Sequence, residues 1–153
     1  MSQRRRFAEI TDTRLGFMSS SRKQHVGGEK ASLRGVRVLL VEDTWHVAQA
    51  LKSVLQQMGM VVLGPAGTTA AAKRLAAEHT PSIAVVDVNL GGETSCALIE
   101  ELCDQNIRVI VISGYAMPPV RAHKTAAILQ KPFSASEFLA ALQSVAAQPQ
   151  TWQ

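Results

Sequence analysis

The sequence predicts an α/β fold, a doubly wound, five-stranded parallel sheet with helices on both faces. Short apolar runs rich in β-branched residues, typical of strands buried on both faces, recur after Gly35. Segments with apolar residues at helical spacing lie between them. The length of 153 residues, 46% of them hydrophobic, suits one domain with a single layered core.

The first run is Val36–Val41 (VRVLLV). Val47, Leu51, Val54, Leu55 and Met58 then fall at helical spacing, and Gly59 ends that helix. Met60–Leu63 reads as a second strand, closed by Gly64-Pro65. Residues 68–78 are alanine-rich, with Thr68 or Thr69 as the cap, and read as a helix. Ile83–Val86 is the third strand, ending at Asp87, and residues 94–104 form the next helix. Arg108–Ile112 is the fourth strand, ending at Ser113. Seventeen residues separate Ser113 from Lys131 and include Pro118-Pro119, which permits at most a shortened fourth helix. Ala126–Leu129 is the fifth strand, ending near Lys131-Pro132. The last helix opens on Ser134-Ala-Ser-Glu137, a capping-box pattern, with Phe138, Leu142 and Val145 on one face.

Charge divides the chain. Residues 1–34 hold eight Lys/Arg against three Asp/Glu, a net +5, whereas the remainder nets −1. With Ser19–Ser21 and Gly27-Gly28 and no sustained periodicity, residues 1–34 read as a flexible basic arm. Residues 35–148 read as the folded domain and 149–153 as a tail. Met18 is an alternative start within the arm. Arginines of the arm could touch nucleic acid or anionic lipid weakly, but no helix-turn-helix or other reader is present, so no sequence-specific nucleic-acid partner is expected. No run reaches ~18 apolar residues, so no membrane insertion is expected. No apolar run follows Arg4–Arg6, so no secretory signal is read and a cytoplasmic location is expected. Cys96 and Cys103 would lie ~10 Å apart on one helix, too far for a disulfide, and read as reduced apolar residues. The four histidines have no zinc-ligand spacing.

Ligands of such sheets bind at the carboxyl ends of the strands. Here those ends carry Glu42 and Asp43, then Asp87, Ser113 and Lys131. Converging carboxylates repel unless a cation joins them, and a hard divalent ion with oxygen ligands fits; Mg²⁺ is the default. The three carboxylates, a divalent ion and one lysine sum to zero charge. An incoming phosphoryl group would meet metal, ammonium and hydroxyl, which is what phosphoryl transfer requires. An aspartate can act as the nucleophile and form an acyl phosphate.

At this point the sequence resembles the response-regulator receiver domain over about residues 35–147, with the acidic pair, phosphoacceptor Asp, Ser/Thr switch and Lys-Pro in order. The resemblance implies a flavodoxin-like receiver fold. It also implies Asp87 as phosphoacceptor, Mg²⁺ held by Glu42, Asp43, Asp87 and the carbonyl of Asn89, Ser113 as the switch hydroxyl, and Lys131 paired with the phosphoryl group. Asp87-Val-Asn-Leu-Gly-Gly-Glu93, Ile112-Ser-Gly-Tyr115 and Leu129-Gln-Lys-Pro-Phe133 look like stand-alone receivers of the FATGUY type, common beside histidine kinases of the HWE class. That motif usually has Thr at Ser113 and Phe-Ala at Val111-Ile112. The aromatic that most receivers place three before the lysine is Ile128 here, and Tyr115 is positioned to take over part of its role.

The implied function is a single-domain response regulator of a two-component phosphorelay. Its donor is a histidine kinase or histidine phosphotransfer protein, and its output goes to a downstream protein that the sequence does not identify. No turnover is expected beyond self-phosphotransfer and autodephosphorylation. A receiver acting as a phosphate sink is an alternative. A haloacid-dehalogenase-type phosphatase, another rival with an Asp nucleophile, normally has Asp two positions after it; here that position is Asn89, and no cap domain fits. A nucleotide-binding module would need a glycine-rich loop after the first strand, where this chain has Glu42-Asp43.

Overall fold

The structure, a computed structural model, describes residues 32–116, 118–121 and 124–149. The basic arm before Ser32 and the last four residues of the tail lie outside the described residues.

The described residues form, in chain order, β1 (Arg37–Val41), α1 (Trp45–Gln57), β2 (Val61–Ala66), α2 (Thr69–His79), β3 (Ile83–Asp87), β4 (Asn89–Leu90), β5 (Glu93–Thr94), α3 (Cys96–Asp104), β6 (Arg108–Ser113), β7 (Ala127–Gln130) and α4 (Ala135–Ala147). Five strands form one sheet in the order β2-β1-β3-β6-β7, and every pairing in it is parallel. β3 is therefore central, and all five carboxyl ends lie along one edge.

Side chains alternate across the sheet with period two, so the three central strands β1, β3 and β6 each feed two cores. Leu39, Val41, Ala84, Val86, Val109 and Val111 bury one face with Ala72, Ala76, Leu98, Ile99 and Leu102 of α2 and α3. Val38, Leu40, Ile83, Val85, Ile110 and Ile112 bury the other with Leu51 and Leu55 of α1 and Phe138, Leu142 and Val145 of α4. Leu33 is buried in this second cluster, so packing begins just before β1.

Thr68 caps α2 by accepting from the Ala71 N–H. Ser134 and Glu137 close the capping box of α4, with Ser134 Oγ accepting from Glu137 N at 3.1 Å and Glu137 Oε2 accepting from Ser134 N at 2.6 Å. These bonds hold the Glu137 carboxyl below the usual range. A lowered folded-state pKa stabilises at neutral pH and ceases to do so as pH falls through it. Ser134→Ala is expected to lower unfolding stability by about 1 kcal/mol at neutral pH, measured by urea titration.

β2 runs through Gly64-Pro65 to Ala66 rather than stopping there, with an irregular register against β1 between Leu39 and Val41. β2 is an edge strand, where a residue without an N–H is tolerated. Residues 94–104 are not all helical. α3 starts at Cys96, because Glu93-Thr94 pairs with Asn89-Leu90 in a hairpin. Between β6 and β7 the described residues form turns and bends without a regular helix, the limit of the expected shortening. Val120 packs on the first core cluster, Arg121 lies 3.7 Å from Glu100, and Lys124 lies 3.1 Å from Asp104. Among the described residues no helix is long and apolar enough to cross a membrane.

Candidate functional site

The parallel topology delivers the sequence-predicted residues to one sheet edge. Glu42 directly follows β1, Asp87 ends β3, Ser113 ends β6 and Lys131 follows β7. Asp87 and Glu42 are each 3% exposed, and Ser113 is 0% exposed. Carboxylates so deep need partners. Lys131 Nζ forms an ion pair and hydrogen bond with Asp87 Oδ2, and lies 3.9 Å from Glu42 Oε2. One half-buried ammonium thus serves two buried acids.

Each acid also draws on its own loop. Asp87 Oδ1 accepts from Asn89 N at 2.9 Å, and Glu42 Oε1 accepts from Thr44 N at 2.9 Å. Glu42 Oε2 is buried without a hydrogen-bond partner. Burial, reinforced by Asp87 beside it, pushes the Glu42 carboxyl up to about 7; the Thr44 N–H and the Lys131 charge pull the other way. The charge in the pocket is not fully balanced by Lys131 alone.

Asp43 is exposed, and its carboxylate lies against the β4–β5 turn. A Cβ at Gly91 would stand 2.6 Å from Asp43 Oδ2, so only glycine allows this approach without displacing the carboxylate. Asn89 opens β4. Ser113 Oγ accepts from Tyr115 N at 2.9 Å, while the Ser113 carbonyl accepts from Lys131 N at 2.8 Å. The hydroxyl therefore keeps its own proton to donate. Tyr115 is 61% and Ile128 38% exposed, so the position three before Lys131 carries an accessible aliphatic side chain.

Among the described residues, no three His, Cys, Asp or Glu side chains are already gathered closely enough to grip a metal ion. Lys131 holds Asp87, and Asp43 lies by Gly91. The donor chemistry nevertheless fits a hard divalent cation: oxygen donors, a surplus of negative charge and the orphaned Glu42 Oε2.

Sequence reasoning misses Ser95. It is fully buried, and its hydroxyl donates to the Asp87 carbonyl at 2.5 Å, fixing the backbone of the central acid. A serine directly before a helix reads as an ordinary cap, but here its side chain makes no cap bond. Glu93, on β5, ends a motif quoted for the family resemblance, but the sequence assigns it no role; its carboxylate accepts from Thr69 N at 2.8 Å.

The family model of the response regulator receiver domain matches residues 38–143. The chain is similar to the non-phosphorylated HemR receiver domain from Leptospira biflexa, at 25% identity and a TM-score of 0.68, covering 77% of this chain and 99% of that one. A response regulator from Burkholderia pseudomallei, solved with a phosphorylated aspartic acid, a calcium ion and citrate, is 29% identical with a TM-score of 0.63, over 73% of this chain and 69% of that one. PhyR from Brucella abortus shares the fold at 23% identity and a TM-score of 0.68, over 80% of this chain; this chain spans about half of PhyR, 52%. No curated protein matches the sequence.

Proposed function

Because the chain belongs to the response regulator receiver family, we propose that it is a two-component receiver in which Asp87 accepts a phosphoryl group from a phosphohistidine. One observation carries the reading: a buried aspartate ends the central strand, ion-paired to Lys131 and beside a second buried acid, Glu42. A chemical parallel is the Burkholderia pseudomallei regulator with its phosphorylated aspartic acid and calcium ion.

In the reaction, an Asp87 carboxylate oxygen attacks phosphorus. A P–O bond forms, the P–N bond to the donor histidine breaks, and the imidazole leaves. Lys131 already neutralises Asp87 and can follow the charge onto the phosphoryl oxygens. Ser113 has a hydroxyl proton to donate to a phosphoryl oxygen. Glu42, Asp43, Asp87 and the Asn89 carbonyl would hold Mg²⁺, which when bound supplies charge neutralisation and orientation. Asn89 offers no carboxyl for the acid–base work of a haloacid-dehalogenase-type phosphatase, so the catalytic capacity is confined to forming and losing the acyl phosphate. The donor is a histidine kinase, with the HWE class as first candidate, or a phosphotransfer protein. Output passes to a downstream protein, in the cytoplasm. Phosphotransfer profiling against the histidine kinases of the host tests this. Fast transfer from one of them supports the reading; no transfer from any kinase or from acetyl phosphate would overturn it.

The switch follows from the Ser113–Tyr115 bond. Turning the Ser113 hydroxyl toward a phosphoryl oxygen perturbs its bond from Tyr115 N, and the Gly114-Tyr115 backbone must resettle. The described residues beyond form no regular helix, and their two exposed ion pairs contribute little, so low local stability is expected there. Beryllofluoride is expected to slow hydrogen exchange over residues 114–125 and to leave β1 and β2 little changed. Indifference of 114–125 to the mimic would place the output on another face.

A further inference from the structure

Phosphoryl chemistry gives Glu93 no role, yet its carboxylate is engaged across 24 residues of sequence with Thr69 N at 2.8 Å. Thr69 is the first residue of α2. The first N–H groups of a helix have no partner within it, and a carboxylate is favoured at that positive end. Thr68 Oγ1 serves Ala71 N, and Glu93 serves Thr69 N. The β4–β5 hairpin is thereby moored to a helix on the far side of the Asp43 loop.

The hairpin touches the phosphoacceptor site twice. Asn89, in β4, donates its N–H to Asp87 Oδ1. Gly91, in the turn, abuts Asp43 Oδ2 closely enough that a Cβ would stand 2.6 Å from it. The turn is the two-residue Gly91-Gly92, with φ of +55° and +107°, joining Leu90 to its ladder partner Glu93. A ladder of two residues per strand is too short to hold its own position: Leu90 is buried in the first core cluster and Ser95 anchors the trailing end, while Glu93 is exposed and is held by Thr69.

We propose that Glu93 is a positioning residue for the cation site: it tethers the hairpin to α2, so that Asn89 and Gly91 keep the Asp87 and Asp43 carboxylates in place. The inference rests on Glu42, Asp43, Asp87 and Asn89 being the site of a divalent ion. Glu93 acts by the bond it makes and touches neither phosphoryl group nor ion.

Tether and bare charge are separable. Glu93→Gln removes the charge but keeps an oxygen able to accept from Thr69 N. Thr69→Pro removes the donor and leaves Glu93 intact. Proline is tolerated at the first helical position, and Thr68, at φ −136° and ψ 158°, already has the extended conformation that a following proline demands. The readouts are Mg²⁺ affinity of the full chain by calorimetry and hydrogen exchange of residues 89–94, neither of which needs a kinase. Glu93→Ala is expected to weaken Mg²⁺ about tenfold, the low end for loss of an outer partner. Thr69→Pro is expected to match it, and the double variant to be no worse than either, since both delete one bond. Glu93→Gln should recover most of the affinity, and residues 89–94 should exchange faster in Glu93→Ala and Thr69→Pro alone. Wild-type affinity in Glu93→Ala, or Glu93→Gln as weak as Glu93→Ala while Thr69→Pro binds normally, would overturn the tether. Asp43→Ala is the control: if it too bound Mg²⁺ like the wild type, the cation site itself would be wrong, and the tether with it.

Discussion

Asp87→Asn is expected to reduce labelling by a phosphorylated cognate kinase to background while the protein stays folded. Both halves follow from the geometry. Asparagine is nearly isosteric, and its Oδ1 can still accept from Asn89 N, the bond that orders the loop after β3. Lys131 keeps Glu42 at 3.9 Å as a charged neighbour, and one of two crowded buried acids is gone. The change in unfolding stability should stay within about 1 kcal/mol in either direction. Amide nitrogen and oxygen cannot replace the carboxylate as nucleophile, so the acyl phosphate cannot form. Radiolabel transfer and a urea melt on the same preparation check the two halves together. Full labelling of a folded Asp87→Asn protein would remove Asp87 from its role.

The second large effect concerns the cation. Asp43→Ala is expected to weaken Mg²⁺ about 100-fold, at or beyond the upper end of what loss of an outer partner costs. Asp43 is exposed, and its carboxylate lies against the glycine turn, so its removal is expected to cost little stability. Trp45, two residues on and 66% exposed, offers a fluorescence reading beside calorimetry. The same variant should slow phosphotransfer at limiting Mg²⁺ and recover part of the rate at high Mg²⁺, because the nucleophile is untouched. Unchanged Mg²⁺ affinity in Asp43→Ala would contradict the placement of the ion.

Much of this is legible in the residues. Buried parallel strands declare themselves as β-branched runs, and five of them define the sheet and the edge where Glu42, Asp87, Ser113 and Lys131 meet. Capping signals are equally plain at Ser134, where the two partners sit three residues apart and satisfy each other locally. The failures come where tertiary context decides. Gly64-Pro65 reads as a stop, but at a sheet edge the strand can run on to Ala66. Gly91-Gly92 carries a hairpin signal that the following helix obscures, so the pattern places Thr94 in α3 instead of β5. No periodicity can show that the Ser95 hydroxyl turns back to the Asp87 carbonyl, or that Glu93 reaches Thr69. Those bonds join elements whose adjacency exists only once the sheet is built. Leu33 is a similar case: a single apolar residue ahead of the first periodic run gives no pattern, yet it is buried in the core.

The most direct test of the central claim is to map the phosphoryl group on the wild-type chain after transfer from a phosphorylated histidine kinase in Mg²⁺. Borohydride reduction of the acyl phosphate, followed by peptide sequencing, identifies the modified carboxyl. The geometry predicts a single modified residue, Asp87, in the peptide spanning β3 and the hairpin. Modification at Glu42 or Asp43, or an acid-stable phosphate on Ser113, with Asp87 untouched, would contradict it.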